Sequence, residues 1–389
     1  MTGSDTSLQN AFTKLSGDFK RIVIKVGSSV LTDQTGINNH RVLHLVAEIA
    51  ALVASDKKIV LVSSGAVAYG VRKMALSARP SEINKLQALA AIGQPGLMNA
   101  YEDAFSAHQL TTAQILLTQG DVQNRARYVN AANTIKTLLD WNIIPVINEN
   151  DTVATDEFKF GDNDTLGSFV ASMVDADLFI NLSDIDGFYT ADPRSSADAV
   201  RLQLIETITP DLFKLAGKAG RLGRGGMFTK LTAAQRLARV GISTLIAGGH
   251  TDGVLTNIFK GIPTGTLFLT QKPEIAKRKN WIAFTHHTDG KIKIDDGATD
   301  ALVHRGKSLL PSGVCAVEGH FSKGDAICVE NAQGELIAIG LVNYDDHDLK
   351  TIMGHNSNEI ESLLGTGGET EVIHRDDMVL ADPELRLSK

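Results

Sequence analysis

Short unbroken apolar runs alternate, through the first two thirds of the chain, with longer stretches in which apolar residues return every three or four positions. The runs lie at 21–26, 59–62, 113–117, 143–147, 178–182, 243–247 and 266–269. Runs without polar alternation read as strands covered on both faces, the condition of a parallel sheet. Between the first two, Val42, Leu43, Leu45, Val46, Ile49, Leu52 and Val53 keep helical spacing and can lie against that sheet. This strand, helix, strand order predicts an α/β fold with seven or eight mainly parallel strands. Residues 80–109 are also helix-rich, with Leu86, Leu89 and Ile92 on one face, suited to core packing or to a subunit contact. Gly93 and Pro95 interrupt them, so two helices or one kinked helix are expected rather than a single rod.

Near residue 277 the pattern changes. Short β-like runs at 291–294, 313–317, 326–329 and 336–340, separated by Gly and Asp, read as strands of a small barrel. The first nineteen residues are polar, carry Asp5 and Asp18, and lack the apolar stretch of a secretory signal, so they read as a flexible leader. The expected division is therefore 1–19 leader, 20–276 main domain, 277–380 small domain and 381–389 tail.

Composition narrows the function classes. With 389 residues there is room for one very large domain or two, and 21% charged with 43% hydrophobic residues is ordinary for a soluble protein. A net charge of −7 and a pI near 5.9 leave no electrostatic footprint for nucleic acid or an anionic membrane. No apolar run reaches the roughly 18 residues of a membrane span. Cys315 and Cys328 stand without CxxC spacing and read as buried free thiols of a reducing cytosol.

The candidate chemistry centres on residues 148–166, which follow a buried run and end where helical spacing begins. Asn148, Glu149, Asn150 and Asp151 form one acid-and-amide cluster; Asp162, Asn163 and Asp164 form a second. Asn and Asp also make Asx-turns and helix caps, and either cluster alone is as well explained that way. Two clusters on one loop beyond the carboxyl end of a strand point to a site, because ligands of open α/β sheets bind there. Carboxylates mixed with amides can bind an ammonium group, order a lysine or hold magnesium.

Other strand ends add to this. Lys25 stands inside the first apolar run, where its ammonium must reach either solvent or an anion. Gly27, Ser28 and Ser29 follow it, and Ser63, Ser64, Gly65 and Ala66 follow the second run; small residues there let backbone N–H groups approach an anion. Ser183 and Asp184 close the run at 178–182 and read, alone, as a turn cap. Gly223, Arg224, Gly225, Gly226, Met227, Phe228, Thr229 and Lys230 form a glycine loop entering a helix, which is either a linker or a phosphate cradle with Lys230 as point charge. It is not a Walker A loop.

As an ordered set these motifs resemble the glutamate 5-kinases of the amino-acid kinase family, in the form with a C-terminal PUA domain. The matching pieces are 23–29, 63–66, 145–151, 161–164, 184–194 and 225–230, with 297–299, 308–311 and 372–378 near the end. The resemblance implies a three-layer αβα sandwich on a mainly parallel eight-stranded sheet, plus a small β-rich PUA barrel. It implies transfer of the ATP γ-phosphoryl group to the side-chain carboxylate of L-glutamate, the first step of proline biosynthesis. Lys25 and Lys230 would act on the transferring group, oriented by Asp164. Ser64, Asp151, Asn163, Asn148 and Asp162 would bind glutamate. Lys25, Ser183, Asp184 and residues 224–230 would bind ATP, with Mg2+ travelling on the nucleotide rather than in a protein cage. The resemblance further implies a cytoplasmic homo-oligomer, dimer or tetramer, feedback inhibition by L-proline, and consumption of the product by glutamyl phosphate reductase, with physical contact between the two enzymes left open. Arg224 stands where the family usually has Thr, an added charge within reach of nucleotide phosphates.

Two rivals are weaker. PUA domains often bind RNA, but between Trp281 and Gly365 six Lys/Arg face thirteen Asp/Glu, and phosphate neutralisation needs the opposite balance. N-acetylglutamate, aspartate and uridylate kinases share the sheet but lack the PUA tail and this pair of clusters. An acetylated amine would also need no carboxylate partners.

Overall fold

In the computed structural model, residues 3–33, 36–154, 162–217, 226–270, 282, 290–365 and 369–381 are described. The chain divides into two compact units, 1–122 with 129–274, and 275–389 with 123–128. The first is built on eight strands: β1 (Arg21–Val26), β2 (Lys58–Val62), β3 (Thr112–Leu117), β4 (Ile144–Glu149), β5 (Leu178–Ser183), β6 (Leu204–Ile205), β7 (Ser243–Gly248) and β8 (Thr266–Phe268). Their order is β6-β8-β7-β5-β1-β2-β4-β3. All neighbours run parallel except β7 with β8. The αβ alternation and the eight strands match the sequence expectation; two-residue β6 is too short to stand out as a run.

The central strand is β1, whose Ile22, Val23, Ile24 and Val26 have no exposed surface. Such burial contributes roughly 1.5–3 kcal/mol per side chain. The chain leaves β1 toward β2 on one side, whereas β5 is followed by the strands on the other side. Connections that depart in opposite directions open a crevice between the carboxyl ends of β1 and β5. Lys25 and Asn181 are register partners at that point.

Helices α1 (Gly3–Gly17), α2 (Ser28–Leu31), α3 (Asn39–Ala54), α4 (Ala66–Lys73), α5 (Ile83–Ser106), α6 (Arg125–Asp140), α7 (Asn163–Met173), α8 (Met227–Arg239) and α9 (Val254–Phe259) account for most of the remainder. One of these differs from expectation, and a second decides against one of two alternatives. The supposed leader forms α1, whose Ala11, Phe12 and Leu15 are buried in the main core. With Leu8 they make an i, i+3, i+4, i+7 stripe, enough apolar surface to dock a helix that is otherwise polar. And α5 runs unbroken past Gly93 with Pro95 inside it. The glycines there serve packing: a Cβ on Gly93 would lie 1.8 Å from the Ala66 carbonyl, and one on Gly70 would lie 2.0 Å from that of Leu89. Backbone contact between α4 and α5 offsets the hydrogen bond lost at Pro95.

The second unit holds a five-stranded sheet of β9 (Gly290–Ile294), β10 (Val314–Gly319), β11 (Ala326–Glu330), β12 (Leu336–Leu341) and β13 (Met378–Leu380), in the order β10-β9-β11-β12-β13. Its own core includes Ile292, Ile294, Ile327, Val329, Leu349 and Ile352. Of the six basic residues counted there, five make ion pairs with acids: Lys291 and Lys293 with Glu318, Arg305 with Asp300, Lys323 with Glu369, and Lys350 with Asp346. No disulfide joins Cys315 and Cys328, but neither is fully buried as expected: Cys328 is half-buried, and Cys315 is exposed beside the register shift between Lys293 and Ile294. Among the described residues no helix is long and apolar enough to cross a membrane.

Candidate active site

At the crevice the carboxylate of Asp164 receives four donors. Lys25 Nζ lies 2.5 Å from Oδ1 and Lys230 Nζ 2.9 Å from Oδ2. Thr229 Oγ1 donates to Oδ2 and Asn181 Nδ2 to Oδ1, each at 2.9 Å. Asp164 is 1% exposed, Lys25 6% and Lys230 7%, so this is a buried charge cluster rather than a surface pair. Burial alone would raise the Asp164 pKa; the Lys25 and Lys230 ammonium groups override it and hold the carboxyl well below the usual range.

Local sequence explains the convergence. Parallel register puts Lys25 and Asn181 side by side on one face of the sheet. Helix α7 covers that face closely because residue 167 is glycine: a Cβ there would lie 2.7 Å from the Phe179 ring and 3.4 Å from Lys25 Cβ. Asp164 is three residues earlier on the same helix face, so it is lowered onto Lys25. Lys230 comes from the first turn of α8, where Thr229 Oγ1 also accepts from the Gly226 N–H at 3.2 Å.

Beside this cluster lies a cavity of about 420 Å³. It is lined by Lys25, Ser64, Asn148, Asp151, Asp162, Asn163, Asp164, Ser183, Asp184 and Lys230, so ten of the residues singled out in the sequence meet at one place. Asp162 caps α7, its Oδ1 accepting from the Thr165 N–H at 2.8 Å. Asn163 Nδ2 donates to Ser64 Oγ at 2.8 Å and to Asn148 Oδ1 at 3.1 Å, linking the two clusters to the turn after β2. That turn is opened by Gly65, at φ 108°, which starts α4. Ser183 Oγ donates to Asp184 Oδ1 at 3.0 Å.

The rest of the glycine loop is placed differently. Met227 packs against the apolar cluster of Phe188 and Leu231, and Phe228 meets Phe213 edge to face, with ring centroids 5.6 Å apart. Arg224 and Gly225 lie outside the described residues. Three site residues were not singled out in the sequence. Asn181 had a signal, a lone amide inside an apolar run. Gln94, buried behind Asn148, had a weaker one, a single amide in an apolar helix face. Arg79, which lines the cavity, had none: it stands in an ordinary Arg-Pro pair between helices.

Residues 20–248 match the amino acid kinase family and residues 290–364 the PUA domain. The chain belongs to the amino acid kinase family, in its glutamate 5-kinase branch. A glutamate 5-kinase of Paraburkholderia phymatum is 47% identical over 365 residues, covering 93% of this chain and 98% of that one. That of Geobacter sulfurreducens is 47% identical over 363 residues, covering 93% and 97%. Among solved structures, a UMP kinase of Bacillus anthracis is similar with a TM-score of 0.45 and 15% identity, over 65% of this chain and 97% of that one. In the family's terms the five-stranded sheet of the second unit is the PUA domain, and the eight-stranded sheet carries the kinase.

Proposed function

We propose that this kinase transfers the γ-phosphoryl group of ATP to the side-chain carboxylate of L-glutamate, giving L-glutamyl 5-phosphate for proline synthesis in the cytoplasm. The observation that carries this reading is the buried cluster of Lys25, Asp164 and Lys230 at the crevice between β1 and β5. Two positive charges and one negative leave the cluster itself a surplus of one positive charge, while Asp151, Asp162 and Asp184 also line the cavity. The reaction brings an anion onto an anion, so alignment and charge neutralisation are the main demands on the protein.

The attacking group is a carboxylate, already ionised, and needs no general base. One of its oxygens bonds to the γ-phosphorus, the bond from that phosphorus to the β,γ-bridging oxygen breaks, and ADP leaves with the electron pair. Asp164 aims the two ammonium groups; its depressed pKa keeps it ionised and ill suited to accept a proton. Ser64 and the first turn of α4 suit one end of glutamate, while Asn163 and Asp151, with Asn148 and Asp162, suit its α-ammonium. Ser183, Asp184 and the segment 224–230 are assigned to ATP, and Mg2+ enters on the nucleotide with much of its water.

The test is ATP-dependent acyl phosphate formation, trapped with hydroxylamine, with L-glutamate, N-acetyl-L-glutamate and L-aspartate in parallel. Signal from L-glutamate alone is expected; signal from the acetylated or shorter substrate instead would replace this reading.

L-Proline shares glutamate's α-carboxylate and a cationic α-nitrogen, and we propose that it inhibits by competing for the same groups. Asn148→Ala is then expected to weaken glutamate and proline together. An inhibition constant for proline that stays at its wild-type value while the glutamate KM rises would separate the two sites.

A further inference from the structure

Helix α5 places Gln94 behind Asn148, the residue near the end of β4 that lines the cavity. Gln94 is buried, and its Oε1 accepts from Asn148 Nδ2 at 2.9 Å. Asn148 Oδ1 in turn accepts from the Glu149 N–H at 2.9 Å and from Asn163 Nδ2 at 3.1 Å. Asn163 Nδ2 also faces the Ser63 carbonyl at 2.5 Å, so its two hydrogens are shared among three acceptors, Ser63 O, Ser64 Oγ and Asn148 Oδ1. A backbone N–H only donates and a carbonyl only accepts, so the polarity of the relay is anchored at Glu149 and Ser63. With both nitrogens so engaged, the side-chain oxygen of Asn163 is the atom left for a ligand, and it suits an ammonium group.

We infer that Gln94 is a positioning residue that closes this relay and holds the oxygen of Asn163 ready for the α-ammonium of the amino acid; the inference rests on the glutamate reading above. Gln94 touches no ligand itself. Without its acceptor, Asn148 Nδ2 is a buried donor lacking a partner, and the amide relieves that by swinging toward the cavity, where its N–H opposes a bound ammonium.

The experiment uses the full chain and two ligands, L-glutamate and glutarate, which keeps both carboxylates but has no α-ammonium. Gln94→Met, similar in size without the acceptor, is expected to raise the glutamate KM roughly tenfold, the scale of leaving one buried donor unpaired. The ATP KM and the inhibition constant of glutarate should stay near wild type. Gln94→Asn, whose shorter side chain withdraws the acceptor, should repeat the pattern if Gln94→Met does not fold. Gln94→Glu, which keeps an acceptor, should recover most of the glutamate affinity. Equal weakening of glutamate and glutarate, or a Gln94→Glu enzyme as impaired as Gln94→Met, would reduce Gln94 to ordinary packing and overturn the inference. Wild-type enzyme inactive toward L-glutamate would overturn the substrate assignment instead, and the inference with it.

Discussion

Lys25→Ala and Lys230→Ala are each expected to lower kcat for acyl phosphate formation from L-glutamate about a thousandfold while leaving the protein folded. One unit charge acting at about 4 Å with an effective dielectric near 20 is worth roughly 4 kcal/mol. The full value reaches the rate only where the interaction is made in the transition state, so the figure is the upper end. Removing either lysine cancels the surplus positive charge of the cluster, because Asp164 then neutralises the one that remains. Asp164 keeps one ammonium, Asn181 and Thr229 in Lys25→Ala or Lys230→Ala alike, apart from the lysine lost, so melting should change little. Lys230→Arg is expected to restore only part of the rate, since a planar guanidinium cannot occupy the same point as an ammonium beside Oδ2. Single-turnover measurement with saturating ATP checks this. A variant within tenfold of wild type would remove that lysine from the transferring group.

Asp164→Asn should differ from both lysine variants in losing stability as well as rate. It leaves two buried ammonium groups with no counter-charge, and breaking a buried pair in this way costs about 3–5 kcal/mol. For a unit of this size that is a fall of roughly ten degrees in Tm. ATP with magnesium brings negative charge to the same place, so it should raise the Tm of Asp164→Asn more than that of wild type. Acid titration gives a second readout. The folded-state pKa of Asp164 lies below its ordinary 3.8, so its contribution is complete above that value and is lost as pH falls through the depressed one. Wild type should therefore lose stability on acidification more steeply than Asp164→Asn. Identical melting of the two proteins across that range would show that the cluster contributes nothing to the fold.

The two readings that the acid-and-amide clusters left open in the sequence do not exclude one another. Asp162 is a helix cap and Asn148 accepts from the next backbone N–H, as turn residues do, yet both line the cavity. A short polar side chain at a strand or helix end can satisfy one backbone group and still present its other atoms to a ligand. Choosing between cap and site was therefore a false alternative. The loose leader failed for a different reason: Leu8, Ala11, Phe12 and Leu15 do form a stripe, but so short a stripe means little until a partner surface exists to cover it.

The layered sheet was legible in the sequence because unbroken apolar runs of strand length have one economical arrangement, parallel and covered on both faces. The site's position at the carboxyl ends of those strands followed from the polar residues that terminate the runs. Three things were decided only by tertiary structure. Lys230 and Asp164, 66 positions apart, meet because α8 packs on α7; the family resemblance implies the pairing, but no spacing in the sequence shows it. Asn181 joins them because the register of β5 against β1 sets it beside Lys25, and a one-residue slip would have turned it to the other face. The close approach of α4 and α5 depends on Gly70 and Gly93, whose missing side chains matter only against a neighbouring backbone. Composition and periodicity record what each residue prefers locally; which side chains share a buried space is settled by long-range packing, and that is where this site's charge balance resides.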